Sequence, residues 1–160
     1  MNRFLAIFAI IALFGLASGG LICQQQVYRW YNDVYYDHFL TLNSTGELAP
    51  SLGYSDEGPK FITLKAKVSS QDLELFRLFK GHQHFYTTSP KEKAQLVAKG
   101  YTLEGNIGYC YSTKKPGTVP LLRYFTSDPV NQYLWTSNPK AGNLDGWVFQ
   151  RRECYVYPEL

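Results

Sequence analysis

The chain has 160 residues, 16 Lys and Arg against 13 Asp and Glu, and an aromatic load of 13 Tyr, 10 Phe and 3 Trp. A formal charge of +3, with Lys114-Lys115 and Arg151-Arg152 as the only basic doublets, is too thin to hold a phosphate backbone and excludes nucleic acid as a partner. The length suits one domain with a core of its own.

The first element reads as a leader. An uncharged apolar run, Phe4 to Ala17, follows Asn2-Arg3. It falls short of the ~20 residues that a membrane-spanning helix needs, and it suits a signal-peptide core. Small residues at Ala17 and Gly19 predict cleavage before Gly20. Residues 1–19 are therefore read as a signal peptide, and residues 20–26 as an N-terminal extension. The protein is expected to be secreted and extracellular, free of the membrane after cleavage. An anchor that stays in place is the rival reading, and it needs a longer apolar run.

Cys23, Cys110 and Cys154 remain after cleavage. In an oxidising compartment two pair and one is left over, and Cys154 is the expected partner of either Cys110 or Cys23. Their wide spacing resembles no metal knuckle, so neither a metal nor a cofactor is expected. Asn43-Ser44-Thr45 is an N-glycosylation sequon, meaningful in a cell that glycosylates.

From residue 27 onward the chain repeats. Arg29-Trp30-Tyr31, Arg77-Leu78-Phe79 and Arg123-Tyr124-Phe125 recur at a period of roughly 46 residues. His38-Phe39-Leu40-Thr41, His84-Phe85-Tyr86-Thr87 and Tyr133-Leu134-Trp135-Thr136 follow each of them. Gly53-Tyr54, Gly100-Tyr101 and Gly146-Trp147 come next, then Glu57-Gly58, Glu104-Gly105 and, loosely, Gln150-Arg151. The three repeats span about 27–72, 73–118 and 119–160 and make up a single domain.

The second repeat is the clearest to read. Leu73 to Phe79 and His84 to Thr88 are expected strands, and Ser89-Pro90-Lys91-Glu92 opens a helix. There the serine caps Glu92 N–H and Glu92 is expected to reach back to the serine N–H. Ala94, Val97 and Ala98 share one helical face, and Gly100 supplies a left-handed stop. Tyr101 to Leu103 and Ile107 to Tyr111 are read as two strands around a Glu104-Gly105 turn. In the first repeat Pro50 leaves only a turn or a broken helix, and in the third Gly142 leaves room for little more than one turn. Four short strands per repeat predict a mainly β fold, a pseudo-threefold β-trefoil-like domain with a short helix in its second repeat. A small three-bladed sheet array and an irregular α+β domain are the competing architectures.

These motifs resemble a repeat family of secreted, trefoil-like proteins catalogued as a domain of unknown function. Its pattern is R-x-[YF]-N…D-H-F-Y-T-T-S-x-x-E…G-[YW]-x-x-E-G…Y-x-Y, and it is often appended to cell-wall hydrolases. The second repeat matches best, through Arg77, His84 to Ser89, Glu92, Gly100-Tyr101, Glu104-Gly105 and Tyr109. The third departs most, with Tyr133 in the histidine position and Gln150-Arg151 in place of Glu-Gly. The resemblance implies this fold and a cell-surface or carbohydrate-binding role.

Nothing in the sequence points to turnover, and the protein is read as no enzyme. His82 and His84 form an H-x-H pair without a third ligand nearby, and Asp56-Glu57 would point to opposite faces of a strand. Binding is the better reading, because Tyr and Trp offer a flat apolar ring beside a polar tip, suited to stacking on a sugar. The candidate ligand residues are His84, Tyr86, Tyr101, Glu104, Trp135 and Trp147, whereas Phe79, Phe85 and Phe125 are expected to fill the core. Arg29, Arg77 and Arg123 are expected to satisfy buried carbonyls or to stack on rings. The expected protein is a monomeric, lectin-like binder of a glycan or glycoprotein surface, with up to three weak sites. The alternative is a protein-interaction or matrix module.

Overall fold

Among the described residues every repeat folds into three antiparallel strands, and the first strand of each lies between the other two. The computed structural model describes residues 23–140 and 146–159; the predicted signal peptide, its cleavage site and Gly142 lie outside them. In the first unit β1 (Gln24–Asn32) pairs with β2 (Asp37–Thr41) and with β3 (Ser55–Leu64). In the second, β4 (Leu73–Lys80) pairs with β5 (Gln83–Thr87) and β6 (Thr102–Cys110). In the third, β7 (Val119–Thr126) pairs with β8 (Gln132–Thr136) and β9 (Val148–Pro158). The third strands join the units. Leu64 of β3 registers with Tyr109 of β6, Ile62 of β3 with Tyr157 of β9, and Tyr111 bridges to Tyr155. The described chain is mainly β, an open antiparallel sheet with one α-helix, α1 (Pro90–Ala98).

Three strands per unit correct the expectation of four, and the reason is local. Glu104-Gly105 does not turn the chain. Leu78 pairs with Leu103 and Arg77 with Gly105, so Glu104 is the extra residue of a β-bulge inside one long strand. The register shifts likewise around Glu57-Gly58, between the pairs Tyr28–Pro59 and Trp30–Asp56. It shifts again at Gln150, between Arg123–Arg151 and Tyr124–Phe149. A bulge bends a strand without ending its pairing, which a sequence signal for a turn cannot distinguish.

The helix forms where the capping residues place it. Ser89 accepts from Glu92 N–H at 3.2 Å, Pro90 stands in the first turn, and Gly100 follows the C-cap at φ +87°. Two expectations are corrected. Glu92 does not reach back to Ser89, whose N–H donates instead to Thr87 Oγ1 at 3.0 Å. Ala94, Val97 and Ala98 face outward, and the half-buried residues are Glu92, Lys93 and Leu96. The carboxylate of Glu92 serves an ion pair with the third unit, and that contact turns the helix.

The core gathers the same position from each repeat. Leu40, Tyr86 and Trp135 occupy equivalent places on β2, β5 and β8, and their exposures are 0%, 0% and 1%. Leu40 N–H donates to Tyr86 Oη at 2.7 Å, and the Tyr86 ring stands edge-on to Trp135 with centroids 5.0 Å apart. Phe85 is buried among them, while Phe79 and Phe125 are only half-buried. Cys110 and Cys154 form a disulfide between the second and third units, and Cys23 is a free, exposed thiol.

Candidate functional site

Equivalent segments of the first two units differ in length, and that difference opens a cleft. After β5 the chain makes the nine-residue α1, and Leu96 packs against the core beside Tyr101 and Tyr133. After β2 it makes only the single 3-10 turn Ala49–Leu52; Pro50 stands in its first turn, as Pro90 does in α1, and it is Gly53, at φ +82°, that ends it. Between the first and second units a cavity of about 490 Å³ remains, the size of a small-ligand pocket. Tyr35, Phe39, Tyr54 and Phe79 supply its aromatic surface, Leu48 and Leu52 one rim, and Glu47, Arg77, His84 and Glu104 its polar groups.

The polar groups form one chain. Asp37, at the start of β2, is buried. Its Oδ2 accepts from Tyr54 Oη and from His84 Nδ1, both at 2.6 Å, and its Oδ1 accepts from His84 N–H at 2.8 Å. The other ring nitrogen of His84, Nε2, stands 3.6 Å from Glu104 Oε2. Glu104 Oε2 in turn meets Arg77 Nε at 3.0 Å, and Arg77 donates to Glu47 Oε1 at 2.9 Å. The guanidinium lies over the Phe39 ring, 5.0 Å from its centroid. The β-bulge is what aims Glu104 at Arg77, since the extra residue re-directs a side chain that would otherwise alternate.

Burial and pairing compete at these groups. Burial pushes the Glu47 carboxyl up, but hydrogen bonds from Arg77 and Thr41 outweigh it and hold the group below the usual range. Burial, with the Asp37 charge second, drives the Tyr54 phenol well up, so it stays a neutral donor. At the interface of the first and third units, His38 Nδ1 donates to the Tyr133 carbonyl at 3.0 Å. Burial there, with the Arg29 charge second, pulls the His38 imidazole down to about 4.

Only two of the sequence-derived candidates meet in the cleft, His84 and Glu104. Tyr86 and Trp135 are corrected to core residues, because both faces of the short strands β5 and β8 are covered. Tyr101 is half-buried against Phe85, and Trp147 stands 6.2 Å from the His38 ring, so neither joins the site. Of the repeated arginines Arg77 stacks on Phe39 and Arg123 on Phe85, and the polar partners of all three are carboxylates rather than carbonyls. Arg29 meets Glu57 at 2.5 Å, and Arg123 meets Glu92 at 3.0 Å and Glu153 at 3.2 Å. His82 is exposed, and its ring stacks on Tyr35 at 4.1 Å.

Asp37, Glu47, Tyr35, Tyr54 and Arg77 were missed as site residues. For Arg77 a signal existed, since an arginine and a Glu-Gly pair recur together in the first two repeats. For Glu47 none did, because its partner lies 30 positions away in another unit.

Among the described residues no helix is long and apolar enough to cross a membrane. No curated protein and no solved structure matches the chain. A family model described as a domain of unknown function (DUF5648) matches residues 24–157, a span that takes in all three units and the cleft. The chain therefore belongs to the DUF5648 family.

Proposed function

We propose that this is a secreted, non-catalytic glycan-binding protein whose ligand enters the cleft between the first and second units. The observation that carries the reading is the composition of that cleft. Rings of Tyr35, Tyr54 and Phe79 stand beside Glu47, Glu104 and Arg77, in a volume of about 490 Å³ that takes one or two sugar rings. Binding rather than turnover is favoured because Glu47 and Glu104 are both held by Arg77, and among the described residues no serine, threonine, cysteine or lysine lines the cleft beside His84 as a nucleophile. The reading takes one site per chain, where the repeats suggested up to three weak ones. Three similar units, each contributing its third strand to the junction, also support a pseudo-threefold, trefoil-like arrangement. Asn43 is the proposed glycan acceptor, an exposed residue whose Oδ1 accepts from Thr45 Oγ1 at 2.7 Å.

The test is a glycan array probed with the purified protein, multivalently displayed, beside Tyr35→Ala. Loss of binding by that variant, with an unchanged melting midpoint, supports the cleft. An array silent to the parent protein refutes the reading.

A second reading rests on the rim. Leu48 and Leu52 are 73% and 62% exposed, and side chains of that kind suit a docked protein segment better than a sugar. Capture of a secreted protein that Leu48→Asp abolishes, with no glycan bound, favours it.

A further inference from the structure

The cleft has more acid than base. Glu47 and Glu104 line it and Asp37 lies buried behind His84; the cations that face these three carboxylates are Arg77 and, when protonated, His84 and His82. A surplus of negative charge remains unless both imidazoles are protonated. Glu104 is the member best placed to use it. Its contacts with Arg77 and His84 both run through Oε2, which leaves Oε1 without a hydrogen-bond partner among the described residues. The side chain is partly exposed, and it lines both the main cleft and a neighbouring pocket that shares Glu47 and Arg77. A hydroxyl of a neutral sugar can donate to that acceptor but leaves the surplus charge unanswered. A protonated amine answers both, through a charge-assisted hydrogen bond to the carboxylate and attraction to the faces of nearby rings.

From these groups, and resting on the glycan-binding reading above, we infer that the ligand is an amino sugar with a free, protonated amine. The pyranose ring lies against the aromatic wall of Tyr35 and Tyr54, and its ammonium group reaches Glu104 with Glu47 behind it. An N-acetylated sugar keeps the ring but loses the charge, and it would place an uncharged acetyl group against two carboxylates. The cleft thus discriminates between an amine and its amide. A lysine side chain offers the same ammonium on a flexible stem, without a ring to fill the aromatic side of the cleft.

The experiment is titration calorimetry at pH 6 with three probes: a β-1,4-linked glucosamine trimer, its fully N-acetylated counterpart and a β-1,4-linked glucose trimer. The glucosamine trimer is expected to bind about tenfold more tightly than the acetylated one, the equivalent of one charge-assisted contact. That preference should shrink as salt is raised. Glu104→Gln and, separately, Glu47→Gln should each lower it, once thermal melts show both variants folded. Equal affinity for amine and amide, or a preference that survives in both folded variants, overturns the inference. Tight binding of all three trimers alike does so while leaving the glycan reading intact. No heat from any trimer, together with a silent array, removes both readings. Binding of a lysine peptide in the cleft with no sugar bound transfers the ammonium site to a protein partner and overturns the amino-sugar inference.

Discussion

Arg77 Nε meets Glu104 Oε2 at 3.0 Å, and the third unit has lost the equivalent contact. Arg29 Nε has Glu57, but Gln150 stands at the third bulge and Arg123 Nε is buried without a hydrogen-bond partner among the described residues. Arg123 keeps its other nitrogens on Glu92 and Glu153, which explains why the arginine persists. A buried donor without a partner costs about 1–3 kcal/mol. Gln150→Glu should therefore raise stability, by about 1 kcal/mol after the exposed side chain is ordered. Chemical denaturation of the variant checks this, and an unchanged or lower midpoint shows that the bulge of the third unit cannot present a carboxylate.

The Cys110–Cys154 bond closes a loop with a sequence separation of 44 and clips the second unit to the third. Reduction should cost about 4 kcal/mol by the loop-entropy relation. Non-reducing peptide maps are expected to contain that pair and a Cys23 peptide that alkylates without reduction. A Cys23–Cys154 peptide would contradict the structure.

His38 makes stability depend on pH. Its folded value near 4 lies below the usual 6.5, so the unfolded chain binds the proton more readily. The contribution is complete above about pH 6.5 and is lost as pH falls towards 4. Between pH 7 and pH 5 the protein should lose about 2 kcal/mol, and His38→Gln should flatten that slope while keeping a donor for the Tyr133 carbonyl. Glu47, whose value is also depressed, adds its loss at lower pH, below the ordinary carboxylate range. Urea midpoints measured across this range decide the matter; equal slopes for parent and variant would remove His38 as the cause.

Gly46 and Gly100 share a left-handed backbone, with φ of +78° and +87°, but not a neighbourhood. A Cβ on Gly100 would meet only the flexible end of Lys80 at 3.8 Å, so Gly100→Ala should cost only the backbone strain, about 1–2 kcal/mol. A Cβ on Gly46 would lie 2.5 Å from Trp30 Cε2, inside the ring's van der Waals surface. Gly46→Ala should destabilise more than Gly100→Ala. Matching thermal midpoints for the two variants would mean that Trp30 can move aside.

Tyr86→Phe removes the hydroxyl that receives the buried Leu40 N–H, and a loss of about 1–3 kcal/mol is expected. Trp135→Ala should cost about 3–5 kcal/mol. Both changes should lower the melting midpoint, and any loss of ligand binding they cause should track unfolding. Folded Trp135→Ala protein that fails to bind would return that ring to the site.

The sequence by itself determined the repeat, its period, the ends of the helix and the mainly β class. These follow from signals within a few residues of one another: Ser89-Pro90 before a helical stretch, Gly100 after it, and alternating apolar strands. Only the tertiary structure decided which aromatics are covered. Tyr86 and Tyr54 both sit in aromatic-rich repeat motifs, yet Tyr86 meets Trp135 and Leu40 from the other two units, and Tyr54 turns to Asp37 at a cleft. The same holds for the polar chain from Glu47 through Arg77 and Glu104 to His84 and Asp37. Its members come from five separate segments, and their pairing depends on a β-bulge and on the shortness of one 3-10 turn. Local propensity can specify a strand or a cap. The distance between two side chains 47 residues apart, such as Asp37 and His84, is set by how whole units pack.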